Sequence, residues 1–364
     1  MKITGIRTTL VDVPMPRPIV SRIRVSDVMT HLLVDLETDE GLTGQTYLVT
    51  FGRDWGRAVI ELLRGLEDHV RGLDPRESAP LYRKMWQVSS MAGRRGLAVF
   101  AVSAIDTAAW DIAAKALGVP LWRLLGGSPA PVDTYASEGL WLTDDLGKLA
   151  AEAAELVGQG FRAVKMRLGR AREADDVAAA RAVRDTIGPE VRLMADANQG
   201  WDVHYALRMG RRLEDAGIDL TWFEEPIPHD DVPGQARLAA ELRTPLATGE
   251  NAYAPFGFRE LIEARAVDVM MPDLERIGGV TGWLRTAALA DAWRLPLASH
   301  LFPEQSCHLM AASPTAYYLE HMPWAQALLV EKLRLVDGRV PLPNTPGLGL
   351  VWDKDAVKRW TVPP

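Results

Sequence analysis

The sequence predicts an eight-stranded α/β barrel behind an N-terminal α+β cap. From about Pro131 onward, short apolar runs alternate with amphipathic stretches of helical period, which is the pattern of repeated βα units. Three of these runs end in a carboxylate: Asp196, Glu224 and Glu250, at intervals of 28 and 26 residues. Each interval is the length of one strand, one helix and their loops, so the three acids fall at one end of neighbouring parallel strands. No glycine-rich dinucleotide fingerprint follows a strand, which argues against a Rossmann sheet.

Each element follows from its local pattern. Residues 3–13, 31–38 and 44–50 alternate and predict strands, with Asp39-Glu40-Gly41 as a hairpin turn. Between the first two strands, 17–27 is polar, follows Pro14, Pro16 and Pro18, and predicts a loop. Residues 54–70, 76–90 and 95–117 predict helices, the last with small Ala98, Ala101, Ala104 and Ala108 that permit close packing. Pro120 and Gly126-Gly127 close a capping domain taken as 1–127. The barrel, 128–331, has predicted strands at 132–137, 162–168, 192–198, 220–226, 245–250, 267–272, 296–300 and 326–331. Helices between them include 144–158, 173–187, 202–216, 257–265 and 279–293. Residues 332–364 are irregular, rich in Pro and Gly, and expected to pack back on the cap.

Composition narrows the function. The 364 residues are 48% hydrophobic and 24% charged, enough for a large core. A net charge of −7 without basic runs leaves nothing to neutralise phosphates, so nucleic acid is not an expected partner. Neither a leader segment nor an apolar run of about 20 residues is present, so the expected location is the cytoplasm, without membrane. Cys307 is the single cysteine, and its apolar neighbours predict a packed thiol rather than a nucleophile.

Barrel active sites form where strands end, so the residues there set the chemistry. Strand two carries Lys165 and Arg167; with a two-residue period both enter the interior while Met166 faces the helices. Strands three to five give Asp196, Glu224 and Glu250, strand six Asp273, strand seven His300, and Glu320 lies beside the last strand. A lone strand-end acid is commonly a solvated loop residue or helix cap. Three at βα spacing instead predict a cation site, and an all-oxygen donor set favours a hard ion, Mg²⁺ first. A lone histidine is commonly structural; Asp273 one strand away gives His300 the orienting acceptor that a general base needs. His31, His69, His204, His229, His308 and His321 lack that setting.

The strings MPDLERIGGVTGW, SHLF and AASPTAYYLE, between Met271 and Glu320, are long and specific. Through them the chain resembles the enolase superfamily, and within it the mandelate racemase subgroup, from Ile3 to about Trp352. The resemblance implies a lysine or histidine base with Mg²⁺ stabilising an enediolate. It implies that Asp196, Glu224 and Glu250 are metal ligands, that Lys165 contacts a substrate carboxylate, and that His300 and Asp273 are the catalytic dyad. It further implies that Ser137 and Asn198 bind substrate, that Glu320 donates to the opposite carboxylate oxygen, and that the chain is a homo-oligomer, octameric in that subgroup. To donate, Glu320 must be neutral, so its pKa is expected to be raised.

One position departs from the subgroup. Where racemases carry a second strand-two lysine that moves protons, this chain has Arg167, and a guanidinium is a poor proton shuttle. Racemisation needs a base on each face of the α-carbon; dehydration needs only His300. The 17–27 segment offers Arg22 and Arg24 among small hydroxyls, which predicts substrate-binding arginines and a polyhydroxylated acid or diacid. The sequence therefore predicts a Mg²⁺-dependent dehydratase of a sugar acid or related 2-hydroxy acid, binding a small carboxylic acid. A racemase or epimerase and a non-catalytic acid-binding paralogue are the alternatives.

Overall fold

A computed structural model describes residues 1–363. The cap opens with three antiparallel strands, β1 (Ile3–Val20), β2 (Val25–Thr38) and β3 (Thr43–Val49), in that spatial order. The 17–27 segment is thus no open loop: β1 runs through it to Val20, and β2 resumes at Val25. Pro14, Pro16 and Pro18 are tolerated because β1 is an edge strand and their missing N–H groups share one parity. Helices α1 (Arg53–Val70), α2 (Ser78–Val88), α3 (Leu97–Ala116) and the short α4 (Leu121–Leu124) follow. Among the described residues, only α3 is long and apolar enough to cross a bilayer; 78% of its apolar window is buried as the core helix of the cap.

The barrel then alternates: β4 (Val132–Ala136), α5 (Leu146–Gly158), β5 (Ala163–Arg167), α6 (Glu173–Ile187), β6 (Arg192–Asp196), α7 (Val203–Asp215), β7 (Leu220–Glu224), α8 (Val232–Glu241), β8 (Leu246–Thr248), α9 (Ala254–Glu263), β9 (Val269–Met270), α10 (Gly279–Trp293), α11 (Pro303–Ala311) and β10 (Leu319–His321). Asp145, Asp202 and Asp231 cap α5, α7 and α8, each accepting a backbone N–H of the first turn. Consecutive strands pair in parallel from β4 to β9. Residues 297–300 bridge from β9 to the last strand, and β10 pairs with β4 to close the ring. The eighth strand is therefore 319–321, and not 326–331, where a 3₁₀ turn at Gln326–Leu328 stands instead.

Side-chain parity sorts the barrel into layers. Val164, Met166, Leu193, Ala195 and Phe223 face the helices, while Tyr135, Ala163, Met194, Trp222, Ala247, Val269, Met271 and Ala298 fill the interior. Trp222 and Tyr135 meet edge to face at 5.3 Å in the middle of this plug. Each fully buried large side chain contributes on the order of 1.5–3 kcal/mol, so the plug is a rigid base for whatever stands above it.

Past the barrel, β11 (Arg339–Val340) pairs with β4, and α12 (Lys354–Trp360) lies near the cap. Thr361 bridges Val11, Val362 N–H donates to Leu10 O, and Trp352 Nε1 donates to Asp35. Cap and barrel are also joined by Asp106 of α3, which accepts from Thr281 N and Oγ1 at the start of α10.

Candidate active site

The period-two rule that places the plug also places the site. Ser137, Lys165, Arg167, Asp196, Glu224, Asp273 and His300 share the parity of the interior residues two or four positions earlier on the same strand, and so stand above the plug. Glu250 does not share it. Gly249 (φ 124°) turns the chain after β8; a Cβ there would lie 2.4 Å from the Phe258 ring, so only glycine fits. The cavity above holds 290 Å³ and is lined by Lys165, Arg167, Asp196, Asn198, Glu250, His300 and Glu320 from the barrel.

The acids are held by neighbours. Asn198 N and Nδ2 donate to the two oxygens of Asp196 at 2.7 and 3.0 Å. Trp222 Nε1 rises from the plug to Glu224 Oε2 at 2.9 Å, and Asn251 Nδ2 donates to Glu250 Oε1 at 3.1 Å. Lys165 Nζ is buried among Glu224, which it contacts directly, Glu320 at 2.9 Å and Asp196 at 3.7 Å. Burial, together with Asp196, Glu320 and Glu250, pushes Glu224 up to about 7 despite Lys165. Burial is the larger cause and the neighbouring carboxylates add to it; a divalent cation at this carboxylate would relieve both.

Among the described residues no three His, Cys, Asp or Glu side chains are gathered as a ready-made ion cage. Lys165, Arg167 and His300 are paired with the acids instead. The donor chemistry nevertheless fits: Asp196, Glu224 and Glu250 are all oxygen donors at or just past the ends of three consecutive strands, and Mg²⁺ prefers such a set.

His300 Nδ1 lies 2.7 Å from Asp273 Oδ2, which leaves Nε2 as the nitrogen that faces the cavity, 3.3 Å from Glu250 Oε2. Asp273 is itself fixed by Arg276 Nη1 at 2.8 Å and by two backbone N–H groups, of Glu275 and Arg276, at 2.9 Å each. Burial alone would discharge His300, but Glu250, Asp273 and Glu320 outweigh it and push the imidazole up to about 10.

Three sequence expectations change here. Glu320 was expected to be neutral; its pKa is instead lowered, because Lys165, His300 and the Leu301 N–H at 2.6 Å overcome the cost of burial. It is an ionised acceptor in this arrangement. Arg22 lies outside the cavity, exposed, its stem packed over Gly169 and Gly200. Arg24 does line the cavity, with Nη1 donating to Phe51 O at 3.0 Å and its guanidinium 5.3 Å from the Phe51 ring. Ile19, Ser21 and the largely exposed Ile23 of the hairpin tip border the cavity, and with Phe51, Trp141, Met322 and Trp324 they make the upper wall largely apolar. The polar composition of 17–27 thus describes the outer face of the hairpin more than the inner one.

Arg167 is buried at 3% exposure, with Nη2 3.2 Å from Ser137 Oγ and Nε 3.4 Å from Asp196 Oδ2. Its Nη1 has no partner, its Nε has only that ion contact with Asp196, and Asn198 Oδ1 has no donor; all three are buried at the cavity wall. Polar groups buried without partners in a cleft point to a ligand that completes them. Glu225 and Arg276 are the residues that sequence reasoning missed. The only signals were the doubled acid Glu224-Glu225 and the position of Arg276 three residues after Asp273.

The matches to known proteins agree with this architecture. Residues 5–126 match the mandelate racemase / muconate lactonizing enzyme N-terminal domain, and residues 148–356 match the enolase C-terminal domain-like family. The chain belongs to the enolase superfamily, in its mandelate racemase / muconate lactonizing enzyme branch. An enolase from alpha proteobacterium bal199 with bound magnesium superimposes with TM-score 0.95 at 39% identity, covering 99% of both chains. An enolase from Bradyrhizobium, complexed with magnesium and mandelic acid, gives TM-score 0.92 at 38% identity over 100% of this chain and 99% of that one. The L-talarate/galactarate dehydratase of Salmonella typhimurium strain LT2 is 33% identical over 366 aligned residues, 99% of this chain and 91% of its own length.

Proposed function

We propose that this chain is a Mg²⁺-dependent hydro-lyase that removes the proton α to a carboxylate and expels the β-hydroxyl of a sugar acid or related 2-hydroxy acid. The observation that carries the reading is the His300–Asp273 dyad, 2.7 Å apart, with His300 sharing one cavity with Asp196 and Glu250 while Glu224 lies buried beneath it against Lys165. The 33% identity to a talarate/galactarate dehydratase supports the choice of dehydration. Asp196, Glu224 and Glu250 would hold the ion, which when bound supplies a Lewis-acid contact for the substrate carboxylate.

The chain's own residues supply the rest. Lys165 places a fixed positive charge beside the substrate carboxylate, where a second negative charge develops as the α-proton leaves. With Glu250 committed to the ion, its hold on the imidazolium of His300 would weaken and Nε2 would be freed of its proton. Asp273 keeps Nδ1 as the donor, so the neutral Nε2 takes the α-proton and the imidazolium returns it to the departing hydroxyl, which leaves as water. The enol then tautomerises to a 2-keto-3-deoxy acid. Arg167 offers Nε and Nη1 to a substrate oxygen, and Asn198 Oδ1 and Ser137 accept from substrate hydroxyls. Glu320 anchors Lys165 as an ionised partner. A homo-oligomer in the cytoplasm, octameric as in the resembled subgroup, belongs to the same proposal.

A 2-hydroxy-acid racemase is the second reading. It is favoured by the apolar upper wall and by the likeness to a protein complexed with mandelic acid. Incubation with a library of sugar acids and diacids in Mg²⁺, with chemical trapping of 2-keto products, tests the first reading. Product that vanishes on chelation is expected. Absence of product from every acid would overturn dehydration, and labelling of both enantiomers of an aryl 2-hydroxy acid in D₂O would establish the second.

A further inference from the structure

We infer that Glu225 and Asn251 act together as positioning residues for the divalent ion, gripping Glu250 so that His300 can engage only one of its two oxygens. The inference rests on Glu250 being a metal ligand, as proposed above.

Glu225 is a fourth carboxylate beside the three strand-end acids, and it is almost entirely buried at 2% exposure. Strand alternation after Glu224 would send it outward with Phe223 into the helix layer. Its backbone instead takes φ 31°, in the left-handed region, which a non-glycine residue keeps only where its surroundings impose it. The two preceding cavity residues on the next strand over, Asn198 and Gln199, are also left-handed (φ 45° and 59°), and Gln199 N–H donates to Glu225 O at 2.7 Å. The strained backbone is thus shared by the two strand ends that carry Asp196 and Glu224.

Once turned, the Glu225 carboxylate has a defined set of partners. Oε1 accepts from Thr248 Oγ1 at 3.3 Å and from Gly249 N at 3.5 Å, and Oε2 accepts from Asn251 Nδ2 at 3.1 Å. The same Nδ2 donates to Glu250 Oε1 at 3.1 Å. One amide nitrogen therefore spans two carboxylates, and Glu225 fixes which way that amide points. Without the bridge, both oxygens of Glu250 are free to fold onto the imidazole, because Oε2 already stands 3.3 Å from His300 Nε2. A ligand and the base would then neutralise one another. Asn198 grips Asp196 in a similar way at the end of β6, two strands from Glu250, so the two outer acids of the floor are each held by an asparagine that follows them.

Residues one step behind the ligands typically change metal affinity 10- to 100-fold when removed. The test is a calorimetric titration of the metal-stripped full chain with MgCl₂. Asn251→Ala removes the bridge without changing charge, and Glu225→Gln keeps the shape while removing one acceptor. Both are expected to weaken Mg²⁺ binding by roughly 10- to 100-fold, with unchanged circular dichroism. Thr248→Val, which frees Glu225 Oε1 only, is expected to weaken it less and serves if Glu225→Gln does not fold. Unchanged affinity in Asn251→Ala would overturn the inference, as would a loss in Glu225→Gln alone, since that is the effect of charge without a bridge. Failure of the wild-type chain to bind Mg²⁺ would instead overturn the ligand assignment itself.

Discussion

The guanidinium of Arg167 lies over the indole of Trp141, its Cζ 4.5 Å from the ring centroid. Stacking on an aromatic face favours a planar cation and fixes its orientation. One wall of the cavity is therefore a donor surface and not a proton relay. In D₂O, the wild-type chain should exchange the α-proton of a turned-over acid in one C2 configuration only. Arg167→Lys puts a titratable amine on that wall and should raise exchange of the opposite configuration about tenfold or more, a fraction of what a well-placed base contributes. Mass spectrometry of the recovered acids checks it.

On the proposed mechanism, replacing His300 removes the base and leaves the fold in place. His300→Asn should lower kcat by roughly 10²–10⁴-fold, the usual worth of a general base, with the circular dichroism spectrum of the folded chain unchanged. A loss confined to KM would mean that His300 only binds.

Stability should fall in mild acid because of buried neutral histidines. His308 accepts from Trp122 N at Nδ1 and sits 3.2 Å from Leu348 O at Nε2, an arrangement that suits a single neutral tautomer. Burial lowers both His31 and His308 to about 4 from an unfolded value of 6.5. Because the folded pKa is depressed, the unfolded chain binds protons first as pH drops. The stabilisation is full above pH 6.5 and is lost as pH falls toward 4, on the order of 3 kcal/mol per histidine. Urea midpoints at pH 7 and 4.5 should differ less in His308→Gln than in the wild type.

The latch between cap and barrel should be sensitive to one side chain. Asp106→Ala strips Thr281 N and Oγ1 of their acceptor inside a sealed interface, at a cost of about 1–3 kcal/mol for each polar group left unpaired. The wild-type carboxyl is itself pushed up to about 7 by burial, against the Thr281 hydrogen bonds. With a raised folded pKa, its contribution is complete below about 4 and declines as pH rises through 7. Thermal melts of the variant against the wild type at pH 6 and 8 check both points.

Most of the chemistry was legible because it obeys a period of two. Lys165, Arg167, Asp196, Glu224, Asp273 and His300 could all be placed from strand parity. The eighth strand was not, because 319–321 is three residues long inside an irregular stretch, whereas 326–331 carries the apolar run expected of a strand and spends it on a 3₁₀ turn. Glu225 was hidden by its own backbone: a left-handed φ breaks the alternation that the reading depends on. Arg22 failed for another reason: it sits in the turn between β1 and β2, where no alternation fixes a side, and its stem lies over Gly169 and Gly200 outside the cavity. The ionisation of Glu320 depends on three partners from distant parts of the chain, which no local pattern displays.

Residues 352–362 carry a consequence for biosynthesis. Val11 meets Thr361, Leu10 receives Val362, and Asp35 receives Trp352, so the first sheet gains its last partners from residues that leave the ribosome hundreds of peptide bonds later. Domains commonly fold as units, amino end first, while synthesis proceeds. Here the earliest segment must wait, with the edge of β1 unguarded, until residues 352–362 have been made.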